Sequence, residues 1–121
     1  MRVLSIRGAT TVKKNSIEEI LNETKVMVET IIKDNDLKID DIINMIFTMT
    51  SDLDSVYPSV AVRDILNICD TPLLNFEEKY IQGSLRKCVR VMVNVNSDKK
   101  KTEIKHVYLN EAKNLRPDIS E

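Results

Sequence analysis

Histidine is nearly missing from this chain; His106 is the sole one. A His-rich metal site is therefore excluded, and a Ser-His-Asp or Cys-His mechanism would have to run through that single imidazole. Cysteine is scarce too. Cys69 and Cys88 stand far apart and lack metal-ligand spacing. No apolar run approaches the ~18 residues that a membrane span needs, so no membrane partner is expected. Neither sign of charge dominates: 18 basic against 19 acidic residues give a formal net charge of -1. That balance argues against nucleic acid as a partner. No internal repeat is visible. The opening residues Met1 to Arg7 carry no signal-peptide pattern and read directly as a strand. The expected setting is therefore cytoplasmic, with both thiols reduced.

What is present is a globular composition. Hydrophobic residues make up 42% of 121, which suits one domain around one core and argues against disorder. The strongest local signal is Cys88 to Val95. Val89, Val91, Val93 and Val95 fall on one face of a strand; Cys88, Arg90, Met92 and Asn94 fall on the other. Four β-branched residues at every second position would scatter around a helix, but they line one side of a sheet. The valine face must meet the core. Two readings of the other face stay open: either it is solvated and Arg90 is an ordinary surface charge, or Arg90 is held rigidly to bind an anion.

The remaining elements follow in order. Val3 to Arg7 is expected as a short strand ending at Gly8, and Arg7-Gly8-Ala9-Thr10-Thr11 as a compact turn. That turn is a plain loop, or an arginine beside free backbone N–H groups suited to a carboxylate or phosphate. Ser16-Ile17-Glu18-Glu19 reads as a capping box. The helix it opens runs to about Asn35, with Ile17, Ile20, Leu21, Thr24, Met27, Val28, Ile31 and Ile32 as its apolar stripe. Ile42 to Met49 is a nearly continuous apolar run of strand length, expected to be covered on both faces. Pro58 to Leu66 is a second, short helix with proline in its first turn. Thr71 to Phe76 is a third strand, leading into Glu77-Glu78 just before the loop that contains Gly83. Lys99-Lys100-Lys101 is expected at a solvated hairpin tip, and Ile104 to Leu109 is a fifth strand. His106 reads as a structural hydrogen-bonding group. Residues 110–121 read as an irregular tail. The expected class is α/β in the α+β sense, a mixed sheet of five strands with one long and one short helix on one face. The other sheet face, bearing Arg90 and Tyr108, is left open or meets another subunit.

Several segments together resemble the monofunctional AroH-type chorismate mutases. They are Ile6-Arg7-Gly8-Ala9-Thr10-Thr11; Tyr57-Pro58 before Ala61-Val62-Arg63; Glu78 ahead of Gly83-Ser84-Leu85; Lys87-Cys88-Val89-Arg90-Val91-Met92; and His106-Val107-Tyr108-Leu109 with Leu115-Arg116-Pro117-Asp118. The resemblance covers essentially the whole chain in order. It implies a homotrimer of pseudo-α/β-barrel shape with active sites at subunit interfaces. It implies the Claisen rearrangement of chorismate to prephenate, on the route to phenylalanine and tyrosine, with no cofactor and no metal. Arg90 then matches the donor to the ether oxygen, and Glu78 the carboxylate that accepts from the ring hydroxyl. Arg7 and Tyr108 match the residues that hold the pyruvyl carboxylate, and Tyr57 an aromatic wall. Ser59, Leu73, Leu74 and Leu115 match pocket-lining positions, and Arg63 and Arg116 match arginines near the mouth.

Two positions depart from the family pattern. Val60 stands where a lysine is usual, which should weaken attraction for a dianion. Asn75 stands where a cysteine is usual, close to Glu78 and the ring hydroxyl; asparagine can both donate and accept there, so activity is expected to be retained but altered. Rival readings are an imine-deaminase-type trimer, which also clamps a carboxylate with an interface arginine, and a non-catalytic trimer that senses metabolites.

Overall fold

A computed structural model describes residues 1–114. Its frame is a five-stranded sheet made of β1 (Arg2–Thr11), β2 (Ile42–Thr50), β3 (Leu73–Glu78), β4 (Cys88–Ser97) and β5 (Val107–Tyr108), in spatial order β3-β2-β4-β1-β5. The sheet is mixed. β4 runs antiparallel to both β1 and β2, whereas β3 is parallel to β2 and β5 to β1. The valine strand thus stands at the centre. Val89, Val91, Val93 and Val95 are buried, and Met92 on the opposite face is 40% exposed.

One long helix, α1 (Ile17–Asp34), covers the valine face. Ile20, Thr24, Met27, Val28 and Ile31 form its buried side and pack with Leu4, Ile6, Met45 and Phe47. Ile17, which the spacing placed in the stripe, is 57% exposed at the first turn. Ser16 caps the helix, its hydroxyl accepting from the Glu19 N–H at 3.2 Å. The Glu19 carboxylate does not return to the cap residue as a capping box would have it. It accepts instead from the N–H groups of Lys13 and Lys14, at 3.0 and 3.2 Å, and so ties down the approach from β1. A second, short helix, α2 (Ala61–Ile65), has π spacing: the Leu66 N–H reaches the Ala61 carbonyl. Among the described residues no helix is long and apolar enough to cross a membrane.

The sequence expectations differ from the structure mainly at element ends. β1 continues through Gly8 to Thr11, so the Arg7–Thr11 segment is strand and not a turn. Its backbone pairs with β4, with Gly8 facing Val91 and Thr11 facing Cys88, and the Arg7 N–H donates to His106 Nδ1. β3 extends two residues past the expected Phe76, through Glu77 and Glu78, so Glu78 stands within the sheet. The lysine run is no hairpin tip. The chain leaving β4 passes the end of α1 and enters β5 on the far side of β1. Buried Asn35 holds that crossover: its Nδ2 donates to the Lys105 carbonyl at 2.9 Å, and its Oδ1 accepts from the Lys105 N–H at 2.8 Å. The Lys99 ammonium donates to the Asn35 carbonyl at 2.8 Å. β2 is covered on one face only within the chain; Ile46 and Thr48 on the other are half-buried.

Gly8 is where the helix and sheet come closest. A Cβ there would lie 2.7 Å from Ile31 Cδ1, 3.0 Å from Val91 Cγ1 and 3.2 Å from Met27 Cγ. All three neighbours belong to the buried core, so none has free space to retreat into. Gly8→Ala should therefore cost ~1–3 kcal/mol through overpacking. Urea unfolding of the variant should show a lower midpoint at an unchanged slope; an unchanged midpoint would mean the core yields freely.

Candidate active site

The face that α1 leaves uncovered gathers polar side chains from every strand. Register explains how. Thr48 of β2 and Ala9 of β1 both pair with Arg90 of β4, and Ala9 pairs in turn with Tyr108 of β5. Paired residues share a face, so Thr48, Arg90, Ala9 and Tyr108 form one row across the sheet. Ala9, between Arg90 and Tyr108 in the row, is buried against Tyr108 and Cys88. Arg7 lies two residues along β1 on the same side. Glu78 lies two residues along β3 from Phe76, the partner of Thr48.

The charges in this row are already arranged. Arg90 Nε lies 3.2 Å from Glu78 Oε2, and both side chains are mostly buried, at 29% and 24% exposed. Distance makes this an ion pair. The angle does not make it a hydrogen bond, because Arg90 Nε is also a buried atom with no aligned acceptor. The Thr48 hydroxyl donates to the same Glu78 oxygen at 2.5 Å. The Tyr108 hydroxyl is a second buried polar atom without a partner. Two unsatisfied donors on one surface are unusual, because each buried polar group left unpaired costs ~1–3 kcal/mol. Both are suited to an acceptor from outside the chain, a carboxylate or ether oxygen above all.

Second contacts hold these groups in place. His106 Nδ1 accepts the backbone N–H of Arg7 at 2.9 Å, so that nitrogen carries no proton and the imidazole serves the backbone as expected. Cys88 packs with Ala9, Tyr108 and Ala112. Burial pushes its thiol up to about 11, against a smaller opposing pull from Arg90.

The other candidate residues lie elsewhere. Leu74 is on the row's face and 57% exposed, while Leu73 faces the core. Asn75 projects from the opposite face of β3 to Glu78. Its Nδ2 donates to Ser59 Oγ at 2.8 Å, and its Oδ1 accepts from the Ser59 N–H at 3.2 Å. Tyr57, Val60, Asn75 and Phe76 border a separate hollow of about 580 Å³. Arg63 is exposed and pairs with Asp64 at 3.0 Å; that hydrogen bond raises its pKa. Leu115 and Arg116 lie outside the described residues. Within one chain, then, Arg7, Glu78, Arg90 and Tyr108 come together, and Tyr57, Ser59, Arg63 and Asn75 do not join them. The hollow beside Arg7, Thr48 and Arg90 holds about 220 Å³, below the ~300–1,000 Å³ of a usual small-molecule pocket. Thr48 was missed from sequence. Its signal is a hydroxyl at an alternate position of an otherwise apolar strand, legible only once Glu78 is known to sit two strands from Arg90.

The family profile for chorismate mutase type I matches residues 3–119. The chain belongs to that family. It is 42% identical over 120 residues to the chorismate mutase AroH of Bacillus subtilis, covering 99% of this chain and 94% of that one. It is 36% identical over 118 residues to the chorismate mutase AroH of Thermus thermophilus, covering 97% and 96%. A solved chorismate mutase from Clostridium thermocellum superposes with a TM-score of 0.88 at 48% identity, covering 91% of this chain and 97% of that one. Family membership makes the chain an enzyme, an isomerase.

The two thiols should behave differently. Cys69 is exposed and Cys88 buried. At pH 8 a disulfide reagent should label Cys69 quickly and Cys88 only after unfolding. Raised by burial, the Cys88 thiol favours the folded state below the ordinary thiol range, and that contribution is lost as pH climbs toward about 11. Rapid labelling of two thiols in the native protein would contradict this placement.

Proposed function

We propose that this enzyme rearranges chorismate to prephenate in a site floored by Arg90, Glu78, Arg7 and Tyr108 and closed by a second copy of the chain. The observation that carries the proposal is the pair of buried unsatisfied donors, Arg90 Nε and Tyr108 OH, on one rigid sheet face. The rearrangement is pericyclic. The ether C–O bond breaks as a C–C bond forms, with no nucleophile, proton transfer or cofactor. Two tasks remain for the protein. It must hold a flexible dianion in the reactive conformer, an orientation effect worth up to ~7–11 kcal/mol. It must also stabilise negative charge developing on the ether oxygen. A preorganised donor contributes ~3–4 kcal/mol there.

The residues divide between these tasks. Arg90 is the donor to the ether oxygen, pre-set by its strand and by Glu78. Arg7 and Tyr108 hold the pyruvyl carboxylate. Glu78 accepts from the ring hydroxyl and faces the positive charge that develops on the ring. Thr48, bound to Glu78, fixes the orientation of that carboxylate.

The far wall comes from a neighbour in a homotrimer of pseudo-α/β-barrel form. Two observations support this assembly. Leu74, Phe76 and Met92 are 57%, 52% and 40% exposed on the open face, an apolar surface that a second copy would bury. Tyr57, Ser59 and Asn75 lie on the other side of β3, where they can serve only a neighbour's floor. With its amide committed to Ser59, Asn75 shapes that wall. Two free thiols fit the cytoplasm as the compartment.

Loss of the chorismate ultraviolet absorbance should follow addition of the purified protein. Arg90→Ala should lower kcat by at least ~10²–10³, the size of a lost oxyanion donor. A folded parent protein that leaves chorismate unchanged would overturn the assignment; an active Arg90→Ala would move the chemistry elsewhere.

A further inference from the structure

Resting on that reading of the site, we propose that Arg86 is a positioning residue for the Glu78–Arg90 pair, acting as a clamp across the loop that joins them. The loop runs from Lys79 to Lys87, between the end of β3 and the start of β4. One guanidinium binds three things there. It lies 4.7 Å over the Tyr80 ring, two residues after Glu78. Its Nε is 3.5 Å from Asp52 Oδ2, and its Nη2 donates to Ser51 Oγ at 2.9 Å, both in the segment that follows β2. It is itself four residues before Arg90.

Asp52 extends the clamp into the sheet. Its carboxylate accepts the Lys87 N–H, at 3.2 and 3.0 Å to its two oxygens, and accepts the Thr50 hydroxyl at 2.5 Å. The Thr50 hydroxyl oxygen in turn accepts the Cys88 N–H at 3.0 Å. Lys87 has a φ of 49°, a left-handed conformation that a non-glycine residue holds only when its surroundings enforce it. Asp52, itself paired with Arg86, and the Val12 N–H, which donates to the Lys87 carbonyl at 2.9 Å, are those surroundings. The ends of β2, β3 and β4 are thus pinned together where Thr48, Glu78 and Arg90 meet. Without the clamp the Tyr80 loop is released, and Glu78 loses its fixed approach to Arg90.

Arginine suits this task better than lysine, because its planar fork can lie on a ring while bonding at its edge. The test uses kinetics on chorismate together with thermal midpoints for Arg86→Ala, Arg86→Lys, Tyr80→Ala and Tyr80→Phe. Misplacement of about 1 Å can cost ~10²-fold, so Arg86→Ala and Tyr80→Ala should each lower kcat by tenfold to a hundredfold. Arg86→Lys should lower kcat while keeping the parent's midpoint, and Tyr80→Phe should keep the parent's kcat. The Arg86→Ala/Tyr80→Ala double variant should be no worse than the more damaged single, since both break one contact. A kcat at the parent's level in Arg86→Ala would overturn the clamp while leaving the site intact. Losses that track a falling midpoint, or that multiply in the double variant, would also overturn it by assigning Arg86 a purely structural role. A parent protein inactive on chorismate would fail the reading of the site itself, and the positioning role with it.

Discussion

An arginine kept beside a carboxylate on a rigid sheet, with its Nε left unsatisfied, is the constraint on which the rest of the structure depends. The Glu78–Arg90 contact is 3.2 Å long and mostly shielded from water. Pairing reduces the cost of burying either charge alone. Leaving Arg90 Nε without an aligned acceptor keeps part of that cost unrecovered until a ligand arrives. The interaction needs Arg90 at the sheet's centre, which the valines of β4 enforce by burying the opposite face. It needs Glu78 within the sheet, which the parallel pairing of β3 with β2 supplies. Ala9 carries the row on from Arg90 to Tyr108, while Gly8 on the opposite face lets α1 pack close against the sheet.

Much of this was legible in the residues. The period-two valines fix β4 and the face that Arg90 occupies, because a one-residue slip would bury the arginine. The helix is equally plain, since its stripe and the Ser16 cap agree. Other features were hidden for physical reasons. β1 reads as strand then turn because glycine and threonine carry weak signals, yet pairing with β4 carries it to Thr11. The third strand reads as ending at Phe76, since charges are disfavoured in strands, yet β3 is an edge strand whose side chains can reach solvent, and it runs on through Glu77 and Glu78. The crossover held by Asn35 depends on contacts 64 and 70 residues apart in sequence, beyond any local pattern.

The site was legible as a set of residues and illegible as a place. Family likeness singled out both Glu78 and Asn75 and put them near each other, yet the alternation of β3 sends them to opposite faces. One face carries the charges and the other a Ser59–Asn75 latch beside Tyr57 and Val60. The departures at Val60 and Asn75 therefore belong to the wall that one copy would offer another, not to the charged floor. That separation is consistent with the proposed site shared between copies, as are the apolar residues exposed beside the charges.

The most direct test of this account is to sediment the protein through a chorismate solution and follow where absorbance is lost, so that the size of the species doing the chemistry is measured. The account predicts that turnover travels with a particle three times the mass of the 13.9 kDa chain. Turnover travelling with a single chain would contradict it, because the floor alone would then be the complete active site.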